Sequence, residues 1–279
     1  MGKIKIEKDS VEATLLIPLY GRKMCTDLFP EIYQDHFAEE LIAKVDYDFS
    51  ELEKKKETFQ FKYGALLAGM RQLDMTYEIK EYLKKYPKAM VINLGCGLDE
   101  TGKACDNGEC KIVNVDFPSV IEARNKLLDK NEREQNIACD LNDFSWVDKI
   151  DGTNGVIFFA AGVFYYFKRE AVKKLALELA NRFPNGCLVF DSVGKKGLKI
   201  MLSKLKKNMK TSGVDSIMFS ANKPLKELQW SDKIKVSAKG YMLGYNNMKY
   251  KSIKPLYRMV AKIGDRMMHM SINKFEFIK

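Results

Sequence analysis

Two hydrophobic rhythms divide this chain. Up to about residue 85, apolar residues recur every three or four positions. Leu15, Leu16 and Leu19 form one stripe, Pro30 and Asp35 interrupt it, and Phe37, Leu41 and Val45 begin a second. Leu66, Leu67, Met70, Leu73, Ile79 and Leu83 then predict one or two helices between residues 61 and 82, closed by Pro87. From Ala89 the rhythm changes to short apolar runs. Residues 90–94, 111–115, 137–139, 155–160 and 187–190 read as strands. Between them, residues 121–128 behind Pro118 and residues 170–183 read as helices, the latter with Val172, Leu175, Leu179 and Phe183 on one face. Strands alternating with helices predict a parallel sheet covered by helices. Beyond Gly194 the pattern predicts a basic amphipathic helix carrying Leu198, Met201, Leu202, Leu205 and Met209. Strands at 234–241 and 270–278 follow, with a helix from Pro255 to Met268 between them.

Composition narrows the possibilities. The 279 residues are 46% hydrophobic and 30% charged, which excludes a wholly disordered chain. No repeat or linker divides it, so one domain is expected. The longest apolar run, residues 155–167, is too short to cross a bilayer, and no membrane partner is expected. Residues 1–10 lack an apolar leader core, so a cytoplasmic location with six reduced cysteines is expected. Cys105 and Cys110 flank Asp-Asn-Gly-Glu, but no second pair or nearby histidine completes a zinc site, and no metal is expected.

A net charge of +10 invites a nucleic-acid partner. Its location argues otherwise. Residues 195–279 hold 20 of the 47 Lys and Arg but only 5 of the 37 Asp and Glu, and the rest of the chain is net negative. The excess reads either as a solvated lysine surface or as a basic wall facing a small anionic ligand. Nine of the 14 methionines also fall after Gly194, which suits an adaptable lid or ordinary core filling.

Candidate chemistry gathers at the ends of the predicted strands. Gly95-Cys96-Gly97 follows the first, where glycines let the backbone turn sharply and approach a ligand. Asp116 ends the second strand and can accept both ribose hydroxyls of a nucleoside. Asp140 ends the third and can accept from an adenine amino group. A dinucleotide fingerprint wants a third glycine where Glu100 stands, and an acid there would repel a pyrophosphate. S-adenosylmethionine, with a sulfonium and no phosphate, fits better.

These motifs resemble the leucine carboxyl methyltransferase family, particularly its bacterial polyketide-synthesis branch of O-methyltransferases. Residues 91–99 resemble the family's first motif, residues 115–121 its ribose segment, and residues 139–146 its adenine segment. Residues 69–74 resemble the segment whose arginine, here Arg71, grips the cofactor carboxylate. Residues 19–23 resemble an N-terminal segment with a second basic contact, supplied by Arg22 or Lys23. The resemblance implies a class I S-adenosylmethionine-dependent methyltransferase with a Rossmann-like α/β fold. Its seven-stranded sheet would be mostly parallel, with the last strand antiparallel. It implies a helical cap over 1–86, a cofactor core over 87–194, a basic lid over 195–232 and closing elements over 233–279. The implied cofactor contacts are Arg22, Lys23, Arg71, Gly95, Cys96, Gly97, Asp116, Phe117, Asp140, Leu141, Ala161 and Gly162. Ala161 replaces the family's usual glutamate.

Tyr165 and Tyr166 end the fourth strand, where the acceptor belongs, with core aromatics as the alternative. A carboxylate acceptor needs no general base, whereas a phenol benefits from one. No base is evident at this edge, which favours O-methylation of a small carboxylate or readily ionised hydroxyl, leaving S-adenosylhomocysteine as product. The competing readings are a nucleic-acid methyltransferase and a cofactor-binding protein without turnover. The oligomeric state is left open.

Overall fold

In the computed structural model, which describes residues 3–7, 10–208 and 218–279, the short apolar runs assemble into one seven-stranded sheet. Its strands are β1 (Met90–Leu94), β2 (Lys111–Asp116), β3 (Glu134–Ala138), β4 (Val156–Ala160), β5 (Cys187–Ser192), β6 (Ile234–Gly240) and β7 (Ser271–Phe277). They lie in the order β3-β2-β1-β4-β5-β7-β6. All neighbours pair in parallel except β7, which is antiparallel to both β5 and β6. This is the class I methyltransferase topology that the resemblance implied.

Successive strand residues point to opposite faces, and both faces are buried. Ile92, Phe158, Phe190 and Phe275 pack with Trp146 and with Leu175 and Leu179 of helix α5 (Arg169–Arg182). Val91, Ile157, Val189 and Ile272 meet Met75, Ile79 and Leu83 of helix α3 (Phe59–Lys85). Continuous apolar strands are what a sheet covered on both sides requires.

The N-terminal third folds chiefly as the helices α1 (Val11–Leu28), α2 (His36–Lys44) and α3. Ser10, Asp35 and Thr58 each accept a backbone N–H at the start of their helix, satisfying donors that the helix itself leaves free. The pattern over 61–82 becomes one unbroken helix of 27 residues that ends just before Pro87. Gly69 lets α1 lie close on α3, because a β-carbon there would collide with Cys25 Sγ. Helix α4 (Pro118–Leu127) starts at its proline, three residues before the predicted start, since proline fits the first turn of a helix.

One strand departs from expectation. β3 begins at Glu134 and ends at Ala138, whereas the apolar pattern indicated residues 137–139. It is an edge strand, so hydrogen bonding to one neighbour defines it, and its polar residues bond sideways. Asn114 Nδ2 donates to Glu134 Oε1 at 2.8 Å and to Asn136 Oδ1 at 2.9 Å. Helices α6 (Lys195–Asn208) and α7 (Pro255–Met267) flank the C-terminal strands. On α6, Leu198 is buried as expected, while Met209 and the side chains of Leu202 and Leu205 lie outside the described residues.

Asp74 is a buried acid left unpaired by this packing. It is 1% exposed on α3, and neither carboxyl oxygen has a hydrogen-bond partner. Burial, reinforced by Asp265 and Glu78 and opposed by Lys239, pushes its carboxyl up to about 9. The folded state therefore holds a proton that the unfolded chain releases near pH 4. Stability falls as pH rises from the ordinary carboxylate range to about 9. Asp74→Asn removes that dependence. It should raise the stability at pH 8 by about 2 kcal/mol and flatten the pH profile of thermal unfolding.

Candidate active site

The site forms at the carboxyl edge of the sheet, where three loops are held by buried charge. Gly95 and Gly97 both lie in the left-handed region, at φ 65° and 49°. A β-carbon at Gly95 would come within 2.7 Å of Val163, so only glycine brings these two loops together. Asp116 organises the turn from the next strand. Its Oδ2 accepts the Gly97 N–H and its Oδ1 the Phe117 N–H, each at 2.8 Å. Burial pushes the Asp116 carboxyl above its ordinary value, while these two N–H groups hold it down. Phe117 beside it is exposed, Asp140 is exposed with Oδ1 on the Asn142 N–H at 2.9 Å, and Leu141 is buried.

Beneath the glycine loop lies an arginine that the motifs did not single out. Arg124 of α4 is 1% exposed. Its Nη1 donates to the carbonyls of Gly97 at 3.2 Å and Asp99 at 2.8 Å, and its Nη2 pairs with Glu100 and with Glu134. This corrects the role given to Glu100. That carboxylate faces inward to Arg124 and Lys103 rather than outward to a ligand, so it does not itself repel a pyrophosphate. Only α4's register, invisible in the motif, could have shown this.

Asp99 completes the loop's support. It accepts from Gln72 at 2.7 Å, Asn93 at 3.1 Å and the Thr101 hydroxyl at 2.8 Å. Arg22 approaches it at 4.0 Å, donates Nε to Asp35 at 2.8 Å and donates Nη2 to the Leu98 carbonyl at 3.3 Å. Arg22 is thus a buried strut between cap and loop. Lys23 pairs with Asp27 and is partly exposed.

Across the edge stands Arg71. Its Nη1 reaches Asp191 at 3.4 Å, and its Nε is buried without a partner. The guanidinium passes so close to Gly162 that a β-carbon there would collide with it. Asp191, 1% exposed at the end of β5, gathers this corner. Its Oδ1 accepts the Gly162 N–H and its Oδ2 the Tyr165 hydroxyl, both at 2.7 Å. The motifs gave Asp191 no role. Its place at a strand end, like that of Asp116, was the available signal. Tyr165 is buried on Asp191, whereas Tyr166 is 57% exposed beside it. Burial raises the hydroxyl pKa of both, so neither is a base at neutral pH. Ala161 packs partly buried against the α3-side core. Cys96 is buried and burial raises its thiol. His269, at φ 51°, stands beside Gly194 at this same edge.

A model of leucine carboxyl methyltransferases matches residues 20–180, more than half of the chain. The chain belongs to the leucine carboxyl methyltransferase family. It is a methyltransferase, and its cofactor is S-adenosylmethionine. It is 25% identical over 189 residues to the tetracenomycin polyketide synthesis O-methyltransferase TcmP of Streptomyces glaucescens, covering 67% of this chain and 68% of that protein. It is 24% identical over 210 residues to the S-adenosyl-L-methionine-dependent methyltransferase dpfgK of Gibberella zeae, covering 70% of each. Among solved structures, a DUF574 family protein from Streptomyces avermitilis superposes with a TM-score of 0.57 at 13% identity, covering 90% of this chain and 99% of that one. The plantazolicin methyltransferase BpumL, solved with S-adenosylhomocysteine, gives a TM-score of 0.50 at 12% identity, covering 96% of this chain and all of that one. At these identities the two structures speak to the fold.

The ion network under the loop is testable. Arg124→Met leaves Glu100 and Glu134 buried with Lys103 as their one remaining cation, at 3.1 and 4.0 Å, and should cost about 3 kcal/mol in urea unfolding. Adding Glu100→Gln and Glu134→Gln should recover much of that loss. No recovery would mean that Arg124 supports the fold through its packing.

Proposed function

We propose that the protein methylates an oxygen, carboxylate or hydroxyl, of a small anionic acceptor, using S-adenosylmethionine. The observation that carries this reading is the under-used guanidinium of Arg71 at the strand edge. It has one long contact to Asp191 and a buried Nε with no partner, and a guanidinium can grip a carboxylate through two parallel N–H donors. Arg71 would hold the cofactor's carboxylate there, and Lys23 is free to turn from Asp27 toward the same group. Asp116 would accept the ribose hydroxyls, and the glycine loop leaves room for close approach. Phe117, Asp140 and Leu141 would bound the adenine, and Ala161 and Gly162 would line the methionine end.

When bound, the cofactor supplies an electrophilic methyl on a good, neutral leaving group. The protein then has only to align the acceptor and exclude water. Tyr166, the exposed aromatic at this corner, would meet the acceptor, while Tyr165 keeps Asp191 in place. A carboxylate acceptor suits a corner whose tyrosines stay protonated. In this reading the described residues of 1–86 cap the site, 87–194 holds the cofactor, the described residues of 195–232 cover the acceptor and 233–279 completes the sheet, while 209–217 of the expected lid lie outside the described residues. The relative TcmP, an O-methyltransferase by name, supports oxygen as the acceptor atom.

Isothermal titration with S-adenosylmethionine tests the cofactor half. Wild type should bind, and Asp116→Ala should lose binding by at least about a hundredfold; near-normal affinity in that variant would sink the ribose assignment. Charge reversal at Lys195, Lys196 and Lys199 tests the acceptor half. It should raise the acceptor's KM with little change in kcat, because steering acts on encounter rather than on the aligned complex.

A further inference from the structure

Helix α7 has more apolar surface than the other described residues cover. Tyr257, Ala261 and Gly264 face inward and are buried. At 100° per residue, Leu256, Met259, Ile263 and Met267 form a second apolar strip beside that face. They are 48%, 55%, 40% and 62% exposed. The strip continues at both ends. Phe59, 37% exposed, stacks on Tyr257 at 5.1 Å. At the other end Gly197 of α6 lies against Met268, next to Ile200, which is 44% exposed. Exposed apolar side chains in a continuous strip mark an interaction site.

The charge beside the strip says what kind. Arg258, Lys262 and Arg266 recur every four residues along its flank, all exposed, with Lys254 at the helix start. Lys195, Lys196 and Lys199 stand exposed on α6. Within 194–208 and 254–270 the one acid is Asp265. It is turned inward, accepting the Met242 and Leu243 N–H groups at 3.0 and 2.9 Å. A helix with an apolar strip, a cationic flank and no outward acid matches a surface that is apolar below and anionic on top. A second copy of this chain would set cations against cations.

We propose that the α6–α7 face docks on a membrane surface containing anionic lipid, with α7 lying in the interface plane. No helix among the described residues is long and apolar enough to cross a membrane, and surface docking needs none. The run-length argument made from the sequence concerns a span and leaves surface docking open.

Flotation of the full chain with vesicles tests the proposal. Phosphatidylcholine vesicles should capture little protein. Vesicles that also contain phosphatidylglycerol should capture it at low salt and release it at high salt. Ile263→Ser with Met267→Ser, and separately Arg258→Glu with Lys262→Glu, should each weaken capture by about tenfold or more. These positions are exposed, so melting temperature and S-adenosylmethionine binding should be unchanged, which separates this outcome from the fate of the proposed reaction. Absence of capture, or equal capture of wild type and both variants, would overturn the proposal. So would a wild-type dimer in light scattering that Ile263→Ser with Met267→Ser disperses, which would make a second copy the occupant.

Discussion

Asp99 keeps a carboxylate in the interior, where such a group is tolerated only when its oxygens are occupied. Its partners come from distant parts of the chain. Gln72 belongs to α3, Asn93 to β1, Thr101 to the turn after the glycine loop, and Arg22 to α1. N-terminal helices, central strand and glycine loop therefore meet at one side chain. Arg22 is the partner that reaches furthest, and it brings Asp35 with it, which in turn caps α2. The N-terminal helices are fastened to the sheet by this chain of hydrogen bonds together with the apolar contacts of α1 and α3.

The same principle repeats around the edge. Arg124 holds the loop from below through two carbonyls while Glu100 and Glu134 neutralise it. Asp116 holds the loop from the side through backbone N–H groups. Asp191 holds the opposite corner, gathering Gly162, Tyr165 and Arg71. Each buried charge is occupied by backbone or by an opposite charge, so each loop has one low-energy arrangement. Arg71 and Arg124 each keep a buried Nε without a partner, and among the described residues Asp74, on the same helix as Arg71, leaves both carboxyl oxygens unpaired. Arg71 lies at the edge, where unused donors suit a ligand. Asp74 lies in the interior, where loss of its proton destabilises.

The basic character of the chain takes on a different meaning once it is located. The buried acids and arginines around the strand edge pair with one another inside. Among the described residues, the surplus lysines and arginines of the C-terminal third stand mostly outside, beside methionines and isoleucines that no other described element covers. Some of the methionines do fill core, as Met242 and Met248 show, and others, Met259 and Met267, are surface.

The strands, their alternation with helices and the glycine loop were legible in the sequence because a buried parallel sheet demands continuous apolar runs and a tight turn demands glycine. The strand-end acid Asp116 was legible for the same reason, since its distance from the loop is set by one helix and one strand. The family resemblance carried the count of seven strands and the antiparallel β7, which apolar pattern alone does not encode, and the strand order came only with the structure. The edge strand β3 was misplaced by three residues at its start, because one-sided hydrogen bonding leaves no apolar signature. Side-chain direction was decided only by the tertiary structure. Glu100 and Arg22 turn inward to Arg124 and Asp35, and Asp191 becomes the hub of its corner, because a charge in a low-dielectric interior goes to whichever opposite charge the packing of distant helices brings within reach.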